Sequence, residues 1–443
     1  MCSILFSTKN YNGDFNDLNY YLKFRGPDYT NIEKHQDFLF LHNLLSITGE
    51  FTPQPYVSED IILIYNGEIY NYKEFGEYKT DGECIIPLYK EYGVNFVKKL
   101  DGEFAICLVD LKNDICIIST DVFKTKPLFL VADGSHVACA SYKNPLEKIG
   151  FSNIIKAEPN TTYVISLSKR SIVSKNEIRI FDLNQHKKSY EDWIIAFERS
   201  ISKRVFQTDK NVFIGLSSGY DSGIIFNELV RQKKAFYSFS LLGTENQEII
   251  DRRLAIKGQL CESYTLNKNQ SDYEYSHNII ESTTEPFNYT IYSGTSDYNE
   301  YNTRLVDDWG SNNFATICRA AKTFDCKVCL SGTGADEIIS DYGFGGRKIY
   351  AHSTFGGLFP KDLSSIFPWP SFYGSTLESY IAKEEYVGGS FGIEMRYPFL
   401  DTLLVQEFLW LHEDLKNQNY KAPIDYYFNK NNLPYAKEEK RGF

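Results

Sequence analysis

The 443-residue sequence predicts a strand-rich α+β domain of layered sheets, followed by an α/β domain with a parallel sheet. Up to about residue 170, short apolar runs such as "DIILIYNGEIY" and "FAICLVDL" are separated by Asn, Asp and Gly turns, which is typical of strands. Later, "NVFIGLSSGYDSGIIFNELV" has the order of buried strand, small polar loop and helix that builds parallel sheets. We therefore place the first domain at residues 2–170, a polar connector at 171–190 and the second domain at 191–443.

The composition excludes several classes of protein. A content of 42% apolar and 24% charged residues is typical of a globular chain. The net charge of -11 disfavours a nucleic-acid partner, because that role requires clustered Lys and Arg. No apolar run approaches the roughly 18 to 20 residues of a membrane helix, and polar Asn10, Asn12 and Asp14 interrupt any signal peptide. We expect a cytoplasmic protein without a membrane partner.

The nine cysteines lie mostly inside apolar runs, which favours reduced core thiols over a disulfide framework. Cys326 and Cys329 have CxxC spacing, but "FDCKVCLSG" is typical of a buried strand, on which residues three apart face opposite sides. Cys2, directly after the initiator methionine, is ambiguous by itself: it is a nucleophile at a processed N-terminus or a small residue at the start of a strand.

The loop "LSSGYDSG" predicts a phosphate site, since small residues, hydroxyls and backbone donors precede a helix. It lacks the Walker pattern of P-loop kinases and GTPases. Asp221 would repel a phosphate unless a cation bridged the two, which indicates Mg²⁺; the alternative is a Ser/Gly turn with an Asp helix cap. The residues assigned to ATP in this loop are Leu216, Ser217, Ser218, Gly219, Asp221 and Ser222.

A second loop, "LSGTGADE", also follows an apolar strand. It adds Ser331 and Gly332 to the predicted ATP site and Asp336 as a second carboxylate for the metal. Two loops at the ends of parallel strands face one crevice. We therefore expect Asp221 and Asp336 to hold Mg²⁺ on a triphosphate.

These loops and "EMRYPFLD" together resemble the ATP-pyrophosphatase domain of the asparagine synthetase family. The glutamine-hydrolysing domain of that family is similar to the N-terminal half, in the same order: "MCSI", "FRGPD", "HNLLSI", "YNGEIYNY", "TDGE", "LDGEFA" and "KTKPLF". The resemblance covers nearly all of the chain. It implies an N-terminal-nucleophile amidotransferase followed by an adenylating PP-loop domain, with L-glutamine, ATP, Mg²⁺ and an acceptor carboxylate as ligands.

The resemblance also assigns roles in the first domain. With Met1 removed, Cys2 would be the nucleophile and its own α-amine the base. Asn66 and the Gly67 amide would form the oxyanion hole. The positions matched to glutamine binding are Arg25, Glu68 and Asp81.

Positions 44, 333 and 218 depart from the family pattern, in addition to the C-terminal position 438. Leu44 replaces an Arg that would clamp the glutamine α-carboxylate, and Leu cannot supply a bidentate bond. Either another cation acts there, or glutamine binds weakly, or ammonia arrives in another way. Thr333 replaces a Glu thought to assist proton transfer and acceptor binding, so the acceptor pocket is expected to differ. Ser218 replaces a Gly, a mild change.

At the C-terminus, "EEKRGF" places Lys440 and Phe443 in register with the family's RxKxxF, although Glu438 replaces the Arg. The resemblance makes Lys440 a catalytic cation of adenylation. The competing expectation is a frayed tail.

The predicted reaction is glutamine-dependent amide synthesis through an acyl-adenylate. L-aspartate is the default acceptor and would give asparagine; the alternative is amidation or cyclisation of another carboxylate in a biosynthetic pathway. A non-catalytic regulatory or binding relative is the alternative of another class, which the intact Cys2, Asn66 and Asp221 disfavour. The sequence is compatible with a homodimer.

Overall fold

The structure is a computed structural model that describes residues 2–243, 245–267, 269–293, 299–350 and 352–437, with the side chains of 291–293 and 299–301 left out. The chain divides into two compact units. The first contains the residues up to Ile180, with Thr283–Glu285 and Gly388–Glu394, and the second contains the remainder from Phe181.

The first unit is built on two six-stranded antiparallel sheets. Its strands are β1 (Ser3–Ser7), β2 (Tyr29–His35), β3 (Phe38–Leu44), β4 (Tyr56–Ser58), β5 (Ile61–Ile69), β6 (Gly102–Asp110), β7 (Ile115–Thr120), β8 (Phe129–Ala132), β9 (Val137–Ala140), β10 (Ile155–Lys156), β11 (Thr161–Ser166) and β12 (Ser171–Glu177). Its helices are α1 (Phe15–Leu18), α2 (Ile85–Tyr92) and α3 (Asn144–Ile149). The strand orders are β10-β8-β9-β1-β3-β2 and β12-β11-β7-β6-β5-β4.

The strands of the first unit have continuous apolar runs because both of their faces are buried. On β5, Ile62 and Ile64 join one core cluster together with Ile4 and Phe6 of the other sheet. The alternate residues Ile61 and Leu63 join a second cluster, which includes the apolar face of α2. Because successive side chains point to opposite sides of a strand, a strand buried on both faces is apolar throughout. The layered α+β prediction is confirmed.

The second unit contains a five-stranded sheet in the order β15-β14-β13-β18-β21. Its neighbours β13 and β14, β14 and β15, and β13 and β18 pair in parallel, which confirms the α/β prediction. The strands that follow β12 are β13 (Asn211–Gly215), β14 (Phe236–Leu241), β15 (Cys261–Leu266), β16 (Asn288–Ser293), β17 (Asn299–Arg304), β18 (Cys326–Leu330), β19 (Gly343–Phe344), β20 (Arg347–Lys348) and β21 (Glu394–Arg396). The helices that follow α3 are α4 (Glu191–Val205), α5 (Tyr220–Arg231), α6 (Gln247–Ala255), α7 (Gln270–Thr283), α8 (Trp309–Lys322), α9 (Pro370–Tyr373), α10 (Ser375–Ser390), α11 (Thr402–Trp410), α12 (Glu413–Lys416) and α13 (Ala422–Lys430).

The segment predicted as a connector, 171–190, requires a correction. Its first part, Ser171–Glu177, forms β12, which pairs with β11 at the edge of a sheet. An edge strand with a largely solvent-facing surface tolerates polar residues. Because of these polar residues, the segment lacks the apolar pattern by which a strand is predicted from sequence. Helix α4 begins at Glu191, where the second domain was predicted to start.

None of the helices within the described ranges combines the length and apolar character that crossing a bilayer requires.

Candidate active sites

Cys2 lies immediately before β1 and is 8% exposed. Its thiol sulfur accepts a hydrogen bond of 3.5 Å from the backbone N–H of Leu45. Burial raises the pKa of the Cys2 thiol to about 11, and the negative charges of Glu394 and Glu68 add to this effect. A thiol with such a pKa is almost wholly protonated at neutral pH, so a nucleophilic role requires a base beside it.

Arg25 contacts the backbone of Cys2. Its Nε donates to the backbone oxygen of Cys2 at 3.2 Å, and its guanidinium lies over the Tyr142 ring with 5.2 Å to the centroid. The side chain is fully buried. The structure therefore places Arg25 against the backbone of Cys2, a contact that the resemblance did not specify.

Asn66 and Gly67 are consecutive residues of β5. The Asn66 side chain is fully buried, yet within the described residues neither its Nδ2 nor its Oδ1 has a hydrogen-bond partner. An unsatisfied buried amide costs about 1–3 kcal/mol, so a ligand is the natural partner for it. Gly67 has φ +141, and a Cβ there would lie 2.0 Å from the Glu103 carbonyl oxygen. These features fit the predicted oxyanion donors, which must be preorganised and uncommitted.

The two predicted glutamine-binding carboxylates are both buried. Glu68 accepts a bond of 2.7 Å from the Thr48 hydroxyl. Asp81 accepts from the Tyr65 hydroxyl at 2.7 Å and from the Ile69 N–H at 2.8 Å, so both of its oxygens have protein donors. Burial raises the pKa of Asp81, and these hydrogen bonds oppose the rise. Asp81 is thus a rigid carboxylate whose remaining lone pairs could accept from an ammonium group.

Leu44 ends β3 beside Leu45, whose N–H contacts the Cys2 sulfur. It is 7% exposed. If the missing Arg is a real deficit, Leu44→Arg should lower the KM for glutamine about tenfold, the scale of one charge-assisted bidentate bond. Steady-state glutaminase kinetics measure this.

Leu44→Lys is the matched control for that prediction, because Lys adds the charge without the planar fork. We expect it to improve KM less than Arg does. Tight glutamine binding in the parent, together with weaker binding in the Arg variant, would show that another cation already binds the α-carboxylate.

The first predicted ATP loop joins β13 to α5. Leu216 is buried, and its N–H donates to the Phe239 carbonyl oxygen at 2.8 Å. The hydroxyls of Ser217 and Ser222 lie 2.8 Å apart, and the Gly219 N–H donates to the Ser217 hydroxyl at 3.2 Å. Gly219 caps α5 without a side-chain bond, so the alternative in which Asp221 caps this helix is wrong.

Ser218 contacts a carboxylate of the same chain. Its N–H donates to Glu245 Oε2 at 2.6 Å, and its hydroxyl donates to the same oxygen. The carboxylate thus takes two donors that a phosphate at this helix N-terminus would also use. Binding of a phosphate to Ser218 therefore requires Glu245 to leave.

Asp221 and Asp336 are brought together. The Nζ of Lys421 lies 2.5 Å from Asp221 Oδ1 and 2.8 Å from Asp336 Oδ1, and the Tyr420 hydroxyl donates to the latter oxygen at 3.0 Å. The Lys421 side chain is 1% exposed. Burial opposes its charge, but the two carboxylates outweigh burial and raise the pKa of Lys421.

The topology explains why the two loops meet. Ile214 of β13 and Leu330 of β18 are register partners in neighbouring parallel strands, so both loops leave the same edge of the sheet. Gly332 permits the close approach, because a Cβ there would lie 2.7 Å from Asp221 Cβ. Ser331 follows β18 directly, and its N–H donates to the Arg396 carbonyl oxygen at 2.9 Å.

The ammonium group that Asp221 and Asp336 share indicates that the two carboxylates lie close enough to bind one cation together. Mg²⁺ binds through one or two carboxylates and completes its shell with phosphate oxygens and water. Asp221 and Asp336 would hold such an ion with Lys421 beside it. Lys421 was not predicted, since a lone Lys before "APIDYYF" has no recognisable pattern.

Both loops line a cavity of about 360 Å³. The predicted residues that line it are Ser217, Asp221, Ser222, Ser331, Gly332 and Asp336. Among the other lining residues are Phe314, Tyr342, Tyr350, His352, Tyr380, Lys383 and Glu384. The cavity therefore offers aromatic and charged groups beside the loops, which suit an organic acceptor.

Lys440 lies outside the described residues.

Comparison with known proteins finds similarity to a glutamine amidotransferase domain and to asparagine synthetases. Residues 1–183 match the family model of the glutamine amidotransferase domain. The putative glutamine-hydrolysing asparagine synthetase 1 of Methanocaldococcus jannaschii is 28% identical over 430 residues, which cover 89% of this chain and 71% of that protein. The glutamine-hydrolysing asparagine synthetase of Triphysaria versicolor is 25% identical and aligns with 87% of this chain and 64% of its own length.

A solved structure of the allosteric regulatory enzyme of purine biosynthesis aligns with 60% of this chain and 80% of its own, at 13% identity and a TM-score of 0.33. The present chain spans about two thirds of the length of the two asparagine synthetases. It is similar to the glutamine-hydrolysing asparagine synthetases over most of its length, and its residues 1–183 match the model of the glutamine amidotransferase domain.

Proposed function

We propose that this protein is a ligase that uses ATP and the nitrogen of glutamine to convert a small carboxylate into an amide. The observation that carries the proposal is the meeting of Asp221 and Asp336 around one cation, on two Ser/Gly loops at the edge of a parallel sheet. The likeness to asparagine synthetases over most of the chain supports it.

In the first unit, Cys2 would attack the side-chain amide of glutamine. The α-amine that becomes free on removal of Met1 would take the thiol proton, because the buried thiol does not ionise unaided. Asn66 and the Gly67 amide would stabilise the developing oxyanion, and Glu68 and Asp81 would bind the α-amino group. Collapse of the tetrahedral intermediate would break the C–N bond and release ammonia, which takes the proton held by the α-amine, and hydrolysis of the thioester would then release glutamate.

In the second unit, the acceptor carboxylate would attack the α-phosphate of ATP to give an acyl-adenylate and pyrophosphate. The hydroxyls and amides of the first loop would bind the phosphates, with Glu245 displaced. Magnesium, when bound at Asp221 and Asp336, would neutralise charge on the leaving pyrophosphate. Lys421 supplies a second, resident positive charge at the same place, and a further one from Lys440 stays a prediction.

L-aspartate is the default acceptor in this proposal, with asparagine as the product. Thr333 favours a second candidate, the amidation or cyclisation of a different carboxylate, because a hydroxyl replaces an acidic group expected near the acceptor. The aromatic residues that line the cavity, Tyr342, Tyr350 and Tyr380 among them, are compatible with an acceptor larger than aspartate.

Pyrophosphate release with ATP, Mg²⁺ and ammonia across a panel of carboxylates, beginning with L-aspartate, tests the proposal. We expect one carboxylate to raise the rate at least about tenfold above the rate without acceptor, with an equimolar amide product. Asp336→Asn serves as the inactive control. A panel without any response would contradict the ligase function and favour a non-catalytic relative.

A further inference from the structure

Glu384 is a half-buried acid that faces the second predicted loop from α10. Its Oε1 accepts hydrogen bonds from the Ser331 hydroxyl at 2.8 Å and from the Thr333 hydroxyl at 3.0 Å. Its Oε2 is buried and has no hydrogen-bond partner within the described part of the chain. Glu384 also lines the cavity between the loops. It therefore keeps one acceptor atom uncommitted at the site where the acceptor carboxylate is expected.

The other acids that line this cavity are already engaged. Asp221 and Asp336 share the Lys421 ammonium. Glu337 accepts from the Gly334 N–H at 2.9 Å through Oε2 and from the Tyr342 hydroxyl through Oε1. Among the acids that line the cavity, Glu384 therefore has a carboxylate oxygen that can accept a proton.

The electrostatic environment suits proton transfer. Burial raises the pKa of Glu384 to about 7, although the hydroxyl donors and the neighbouring Lys383 lower it. A base that titrates near neutral pH combines a substantial ionised fraction with a useful driving force. The hydroxyl groups of Ser331 and Thr333 hold the Glu384 carboxylate in one orientation, as a catalytic group requires.

We propose that Glu384 is the base that receives the proton lost by the attacking nitrogen. The proposal rests on the ligase function above. Ammonia forms a bond to the carbonyl carbon of the acyl-adenylate, and the bond from that carbon to the phosphate oxygen breaks, with its electron pair leaving on AMP. One proton passes from the new ammonium nitrogen to Glu384 Oε2, and the neutral amide remains.

Two rates measured on the full chain separate this role from a structural one. ATP–pyrophosphate exchange, driven by L-aspartate or by the most active carboxylate of the panel, reports adenylation. Amide formation from ammonia reports capture of the adenylate. In Glu384→Gln we expect exchange within about threefold of the parent and amide formation reduced about a hundredfold, the usual scale of losing a general base.

Glu385→Gln is the matched control, since it removes the adjacent buried acid of the same helix. Glu385 accepts from the Tyr397 hydroxyl at 3.3 Å and is not among the residues that line the cavity. Both rates should survive in this variant, and glutamine hydrolysis should survive in every variant as a report on folding of the first unit. Glu384→Asp keeps the acid but shortens its reach, and it should show the same selective loss in weaker form.

Several outcomes would overturn the proposal. Equal loss of exchange and amide formation would make Glu384 a residue that binds the acceptor or supports the loop. Undiminished amide formation would remove it from the reaction. A selective loss in His352→Gln, but not in Glu384→Gln, would assign the proton to that imidazole. Absence of exchange in the parent with every carboxylate is a distinct result that removes the ligase function and this proposal together.

Discussion

Replacing Cys2 with alanine should lower the rate of glutamine hydrolysis at least about a thousandfold. The rate of amide synthesis from ammonia should stay within about twofold of the parent. In the proposed mechanism Cys2 forms the thioester, so its loss would leave only the small catalysis by the oxyanion donors. Ammonia supplied in solution would bypass this step, because the proposed mechanism gives the Cys2 thiol no part in adenylation. Glutamate release and amide formation, assayed separately, measure the two effects.

Cys84→Ala provides the matched control, because Cys84 is another buried thiol of the first unit. It should leave glutamine hydrolysis largely intact. Full glutaminase activity in the Cys2 variant would show that Cys2 is only a small residue at the start of β1. Loss of both reactions would indicate damage beyond the nucleophile.

The layered and parallel sheets could be predicted because both depend on local patterns. Apolar strands such as β5 alternate with turn residues, and the two Ser/Gly loops each follow their strand directly in the sequence. The pairing of Asp221 with Asp336 followed from a general rule, since loops at the carboxyl ends of parallel strands converge.

The features that escaped prediction depend on partners far away in the sequence. Lys421 reaches carboxylates 200 and 85 positions before it, and Glu384 meets Thr333 across 51 positions. A single Lys or Glu on a helix has no local signal, because most such residues lie on solvated faces. The β12 strand was missed for a different reason: its polar residues follow from its place at a sheet edge.

Asp336→Asn should reduce carboxylate-dependent pyrophosphate release about a thousandfold, while glutamine hydrolysis continues at the parent rate. The asparagine side chain is nearly isosteric, so the packing around Tyr420 should be preserved. Its amide, however, carries no charge to hold a divalent ion on the triphosphate. A loss of several kcal/mol in stabilisation of the leaving group corresponds to this reduction. Asp221→Asn should behave in the same way, because both carboxylates share one cation.

Asp251→Asn is the control for these variants, since Asp251 is an exposed acid on α6 whose described hydrogen bond is to Gln247 at 2.8 Å. It should leave pyrophosphate release unchanged. Raising the Mg²⁺ concentration should recover part of the rate in the Asp221 and Asp336 variants, because a weakened site fills at higher concentrations of the ion. A near-parent rate in either Asn variant at low Mg²⁺ would show that the carboxylate serves only to neutralise Lys421, and the metal site would then have to be sought among other residues of the cavity.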